Sequence, residues 1–147
     1  MACSLHEQGK LEDAEPLHRE ALNNRRRILG DDHPSTLMSI SNVACSLHEK
    51  GKLEDAEPLH REALNNRRRI LGDDHPDTLK SMYNMASLLQ VQGKLEEADP
   101  LYREVFDRSR RILGDDHPQT FAYLNSCILN CVQQLKQRQA LQTLHRI

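Results

Sequence analysis

The chain has no tryptophan, and its three tyrosines and two phenylalanines make up an aromatic content of only 3%. All-β sandwiches and barrels lean on aromatic and β-branched residues, so this scarcity argues against them. No apolar run approaches the roughly 18 to 20 residues that a membrane-spanning helix requires. The net charge of −2 is too small to draw the whole molecule toward nucleic acid or anionic lipid. Four cysteines in 147 residues, Cys3, Cys45, Cys127 and Cys131, are too few for a secretory disulfide framework. They read as reduced thiols, which points to the cytoplasm. The first seven residues lack the basic segment followed by an apolar one that marks a secretory signal. Glycine and proline number six each, and nearly all recur at a fixed phase. What remains is 37% hydrophobic and 29% charged, with a mean hydropathy of −0.72. These figures fit a soluble, charged, mostly helical protein.

Self-similarity dominates the sequence. The string GKLEDAEPLHREALNNRRRILGDDHP starts at Gly9 and again at Gly51, and a diverged copy starts at Gly93, a spacing of 42 both times. Residues 2–43 and 44–85 differ at six of 42 positions, whereas 44–85 and 86–127 share 21 of 42. A fixed period of this length signals stacked supersecondary units.

Each copy predicts two helices. In the first, from about Pro76 to Gln92, Leu79, Met82, Met85, Ala86 and Leu89 fall on one face of a 3.6-residue helix. Gly93 stops it as a C-cap. The second helix of the preceding copy, from about Leu53 to Leu71, carries the stripe Leu53, Ala56, Leu59, Ala63, Leu64, Ile70 and Leu71. Gly72 ends it. The connector Asp73-Asp74-His75-Pro76 then starts the next helix, with His75 at the N-cap and Pro76 at the first helical position. Pro16, Pro58 and Pro100 lie about five residues into the second helices. Either those helices begin late, or each bends at the same place.

A helix pair cannot bury its apolar face alone, but neighbouring pairs can bury each other's. The predicted fold is all-α, a right-handed α-solenoid of stacked antiparallel helix pairs. Gly51-Lys52-Leu53, Ala56, Ala63 and Leu64, with Ala44 and Leu47 before them, resemble the tetratricopeptide (TPR) pattern. Leu47, Leu53 and His60 replace the family's usual aromatics, and Tyr102 keeps one. The 42-residue period with its GDDHP connector is similar to the TPR-like repeats of kinesin light chains. The resemblance implies a single repeat domain over residues 1–147: a partial repeat 1–33, repeats 34–75 and 76–117, and a degenerate capping repeat 118–147. In that last segment Leu135 stands where glycine should be, Gln137 where leucine should be and Ile128 where alanine should be. The expectation is a natural C-terminal end and an N-terminus cut from a longer array.

The residues that carry chemistry come in series. The Asp-Asp-His-Pro tetrads at 31–34, 73–76 and 115–118 hold metal-type ligands, but helix initiation already accounts for them. Seven of the eight histidines, His6 with His48, His18 with His60, and His33 with His75 and His117, are repeat copies or near copies. His18 and His60 stand where the third copy has Tyr102, which favours packing between helices over catalysis. A catalytic centre is normally unique, so no catalytic residue, metal site or cofactor is expected, and the chain is read as a non-enzyme. Cys127 and Cys131 are spaced i, i+4 at the positions of Met85 and Leu89, and read as small core residues ahead of a half-built metal site. Cys3 and Cys45 belong to neighbouring first helices, about 8–10 Å apart and too far for a disulfide. Arg25-Arg26-Arg27 and Arg67-Arg68-Arg69, with Arg108, Arg110 and Arg111, end successive second helices. As a ridge they could follow phosphates, but cations there complement the helix dipole and no aromatic interleaves for base stacking. Nucleic acid and membrane are therefore not expected partners.

The resemblance implies a protein-interaction scaffold whose first helices line a concave groove; the competing reading is an architectural spacer without a specific ligand. The family's carboxylate clamp for chaperone tails is absent, because Ser41 and Cys45, then Ala122 and Ser126, occupy its positions. Residues pointing away from the second-helix layer are the candidate peptide-binding set. They are Ser41, Asn42, Cys45 and His48; then Lys80, Tyr83, Asn84, Ser87 and Val91; then Asn125 and Ser126. Asn42 and Asn84 are one repeat apart, and asparagine can both donate to and accept from a peptide backbone. Tyr83 with Lys80 is the predicted anchor, since tyrosine supplies contact area at low entropic cost. Self-association through the truncated N-terminal face of Met1, Ala2, Leu5, Leu11, Ala14 and Ala21 is also expected.

Overall fold

A computed structural model describes the backbone of residues 11–146 and the side chains of residues 15–146. The expectations for Cys3 and for the face formed by Met1, Ala2, Leu5, Leu11 and Ala14 fall outside the described side chains. The described residues form six helices: α1 (Leu11–Leu29), α2 (Pro34–Glu49), α3 (Leu53–Leu71), α4 (Pro76–Val91), α5 (Leu95–Leu113) and α6 (Pro118–Arg146). The fold is an all-α repeat solenoid built from helix pairs. It divides into two compact units, residues 1–81 and 82–147, with the division inside α4.

Helix starts repeat one device. His33, His75 and His117 each accept the backbone N–H two residues on at Nδ1, at 3.1 Å, ahead of a proline in the first turn. The imidazole thus does what a Ser or Asp cap does, satisfying an orphan donor of the first turn. That accounts for the histidine of each tetrad without a metal. First helices end in a Schellman cap. Lys52 N–H donates to Leu47 C=O (2.8 Å) and Gly51 N–H to His48 C=O (3.0 Å), and Lys94 and Gly93 repeat the pattern on Leu89 and Gln90. Second helices end differently, with Gly72 at φ 89°, ψ 164°, a region open almost only to glycine. The internal prolines do not delay the second helices, which begin at Leu53 and Leu95 with Pro58 and Pro100 inside them.

In the first unit α2 packs against both α1 and α3. Leu37, Ile40, Val43, Ala44 and Leu47 of α2 are at most 2% exposed, and they meet Ala56, Ala63 and Leu64 of α3 within one core. Burying each large aliphatic side chain contributes about 1.5–3 kcal/mol. Alanine at 44, 56 and 63 lets the helix backbones approach closely. The predicted α3 stripe is broader than its buried part: Leu53, Leu59 and Leu71 are half-buried, and Ile70 is exposed near the helix end. In the second unit Met82, Met85, Ala86 and Leu89 of α4 are buried, with Leu95, Ala98, Tyr102 and Val105 of α5. There α5 packs against α6.

The last segment is one unbroken 29-residue helix rather than a helix pair. Leu135 holds the place of the capping glycine, so the chain has no reason to turn there. The outward stripe Phe121, Ile128, Val132 and Leu135 is exposed. The corresponding Leu37 and Leu79, and Ala44 and Ala86, are buried.

Candidate functional site

The candidate set sits on first helices, and its accessibility follows from helical phase. Val43, Ala44 and Leu47 point into the core, so Ser41, Asn42, Cys45 and His48 are left half-buried at the edge of α2. On α4, Lys80 and Val91 are exposed, while Tyr83, Asn84 and Ser87 are half-buried. On α6, Asn125 is exposed and Ser126 half-buried. Among the described residues the side chains of Asn42 and Asn84 have no hydrogen-bond partner, so both amides keep their donors and acceptors available.

Tyr83 is not a free anchor. Its ring lies 6.0 Å from that of Tyr102, near edge-on, and 5.5 Å from that of Tyr123. Ser126 Oγ donates to its hydroxyl at 3.4 Å. The structure therefore brings Tyr83 and Ser126 together inside an aromatic cluster, and each ring contact stabilises the fold by about 0.5–1.5 kcal/mol beyond area burial. Tyr123 lies outside the set of residues predicted from the sequence. Its signal was present, since Tyr123 replaces Ser39 and Ser81 of the earlier copies.

His48 is paired in a comparable way. Its ring meets that of His60 edge-on at 6.0 Å. His60 is 2% exposed, with a buried Nε2 that has no hydrogen-bond partner among the described residues. Burial, and secondarily the charge of His48, push the His60 imidazolium down to about 4, so this ring is neutral and packs as the expected core residue. One copy later the same two positions hold Gln90 and Tyr102, joined by a 2.5 Å hydrogen bond from the Tyr102 hydroxyl to Gln90 Oε1. Burial pushes that phenol up to about 12.

The arginine ridge resolves into structural contacts. Arg67 is buried, and its guanidinium donates to Ser81 Oγ at 2.8 Å and more weakly to Asp77 C=O at 3.4 Å. Arg25 makes the same pair with Ser39 Oγ (2.5 Å) and Ser35 C=O (3.2 Å). In the third copy Ser109 stands in the arginine's place and shares a 3.0 Å hydrogen bond with Thr120 Oγ1, while a buried Tyr123 stands in the place of Ser81. Arg26 forks onto both Glu62 oxygens at 2.9 and 3.0 Å and also reaches Asp31. Arg69 pairs with Asp32, and Arg68 with Asp73. Guanidinium groups committed in this way add little to phosphate binding. At the α4–α5 turn a cleft of about 300 Å³ is lined by Gln90, Gly93, Leu95, Gln133, Lys136 and Gln137. None of these belongs to the predicted peptide-binding set.

Cys127 and Cys131 are half-buried free thiols rather than closed core residues. Their ligand atoms and a carboxylate oxygen of Asp99 on α5 all lie within 4.8 Å of one another. No helix among the described residues is long and apolar enough to cross a membrane.

Comparison with known proteins agrees with this architecture. Two profiles described as tetratricopeptide repeat match the chain, one at residues 1–69 and 41–90, the other at 78–119. A Podosopora anserina kinesin light chain-type protein with nearly identical TPR-like repeats superposes with a TM-score of 0.87 at 22% identity, over 99% of this chain and 69% of that one. A single-substitution variant of it gives 0.86 at 21%, over 99% and 68%. BtubC (BKLC) from P. vanneervenii gives 0.76 at 18%, over 99% and 59%. At these identities the likeness is one of fold. No curated protein compared by sequence matches significantly. TPR repeats generally mediate protein–protein interaction. With its helix pairs, glycine caps and profile matches, the chain belongs to the tetratricopeptide repeat family.

Proposed function

We propose that this chain is a non-catalytic scaffold that holds an extended or helical segment of a protein partner along its first-helix faces. The observation that carries the reading is the pair of half-exposed amides, Asn42 and Asn84, neither of which has an intramolecular hydrogen-bond partner among the described residues. An asparagine that bridged helices would be engaged already; these two can donate to and accept from a peptide backbone. Around them Ser41, Cys45 and His48 in the first unit, and Ser87, Val91, Asn125 and Ser126 in the second, supply partly exposed surface. Selectivity comes from the positions where the copies differ, with Lys80 favouring acidic segments. Tyr83 contributes only the edge that its partners leave open. The titratable groups recur from copy to copy, which supports a non-enzymatic role, and the reduced thiols fit a cytoplasmic setting. The repeat divisions 1–33, 34–75, 76–117 and 118–147 belong to the same reading.

The test selects peptides from a random display library on the whole chain, then measures their affinity for Asn42→Ala/Asn84→Ala. Binding should fall at least tenfold while melting and helical circular dichroism stay unchanged. Unchanged affinity, or a collapse of stability, overturns the assignment. Near-identity of the first two copies favours a second reading, a spacer, because matched repeats leave little site-specific difference. Failure to select any peptide supports it.

A further inference from the structure

We propose that Asp99, Cys127 and Cys131 form a zinc-binding site built into the last repeat. Cys127 and Cys131 project one turn apart from α6 toward α5, and Asp99 meets them there. The Cys131 Sγ to Asp99 Oδ1 distance is 3.6 Å. With Zn–S near 2.3 Å and Zn–O near 2.0 Å, the sulfur-to-oxygen edge of a tetrahedral zinc site is about 3.5 Å. All three ligand atoms fall within 4.8 Å of one another, so small side-chain rotations complete the triangle. The fourth position stays open to water or an external ligand.

The surroundings fit a bound cation. Arg103 Nε donates to Asp99 Oδ2 at 2.9 Å, which holds the carboxylate in orientation and leaves Oδ1 turned toward the sulfur. Such outer partners typically tune metal affinity by about 10–100-fold. Two thiolates and a carboxylate carry three negative charges, which Zn²⁺ and the Arg103 guanidinium neutralise together. As the ion enters, each thiol gives its proton to solvent and the sulfur lone pair becomes the metal bond. Paired thiolates with a carboxylate suit zinc, whereas the hard cations Mg²⁺ and Ca²⁺ prefer all-oxygen sites.

The repeat supplies its own control. The positions of Cys127 and Cys131 hold Met85 and Leu89 in the second copy and Val43 and Leu47 in the first, and the position of Asp99 holds Glu57 and Glu15. Both earlier copies keep the carboxylate, and the side chains at the two sulfur positions there are buried aliphatic or thioether groups. Only the last copy places two sulfurs there, where they are half-buried and reachable.

The experiment titrates the reduced full chain with Co²⁺ and then Zn²⁺. The expected result is one Co²⁺ per chain, with a thiolate-to-cobalt charge-transfer band and the visible absorption of a tetrahedral ion, both displaced by Zn²⁺. Cys127→Met/Cys131→Leu, which copies the second repeat, should abolish the band while keeping helical circular dichroism. Asp99→Asn should weaken Zn²⁺ at least tenfold, and Cys3→Ser/Cys45→Ser should leave binding intact. Absence of the band overturns the proposal. So does a band that survives Cys127→Met/Cys131→Leu, or one lost in Cys3→Ser/Cys45→Ser. None of these readouts depends on peptide binding.

Discussion

His60 makes the stability of this repeat depend on pH in a window that opens above the carboxylate range. The ring is 2% exposed, and burial first, then the His48 charge, depresses it from 6.5 to about 4. His48 is itself depressed by burial, partly opposed by Glu49. Between pH 6.5 and 4 the unfolded chain binds a proton at this position that the folded chain does not. Stability is therefore complete above pH 6.5 and is lost as pH falls toward 4. The full difference corresponds to about 3 kcal/mol, of which about 1.4 kcal/mol is lost by pH 5.5. At this chain length that lowers the melting temperature by about 3–6 °C. His48→Gln/His60→Tyr copies the Gln90–Tyr102 pair, so the volume has a precedent in the same fold. Urea melts at pH 8, 7, 5.5 and 4.5 on both proteins should give curves that diverge below pH 6.5, with the variant flatter. Glu15 is lowered mainly by its hydrogen bond from Lys50, and its contribution fades as pH falls through the carboxylate range in both proteins, so it cancels in the difference. Parallel curves from pH 8 to 4.5 would refute the argument.

Gly72→Ala should cost about 1–3 kcal/mol in a denaturant melt, because φ 89° with ψ 164° is strained for any side chain although the space around it is open. Asparagine should recover part of such a loss at Gly51, in its Schellman cap, but not at Gly72; equal recovery at both would contradict the difference in cap type. Arg67→Ala should cost about 1–3 kcal/mol through lost stem packing and the loss of the bond to Ser81. Arg67→Ser/Ser81→Tyr, which copies Ser109 and Tyr123, should be milder than its two single changes summed by about 1 kcal/mol or more, and strict additivity in melting would sink the swap.

The period, the helix pairs and their ends were legible in the chain because they are local or repeated. Glycine at 51, 72 and 93 and the His-Pro steps set the helix limits from local backbone preferences and the imidazole caps. The apolar phase of α4 placed Leu79, Met82, Met85, Ala86 and Leu89 in the core, where the structure has them. Leu135 in the glycine slot foretold a departure, and a single helix rather than a helix pair follows from the helix having no signal to stop. Packing decided what no spacing encodes. Tyr83 looked like a free anchor until Tyr102 and Tyr123, one on a neighbouring helix and one a repeat away, closed on its ring. The arginine triplets looked alike, yet only Arg25 and Arg67 cross to a serine, since one residue in three faces the next helix. Cys127 and Cys131 read as core until α5 presented Asp99 to them. Each of these depends on which side chains meet across helices, and that is set by three-dimensional stacking rather than by residue spacing along one helix.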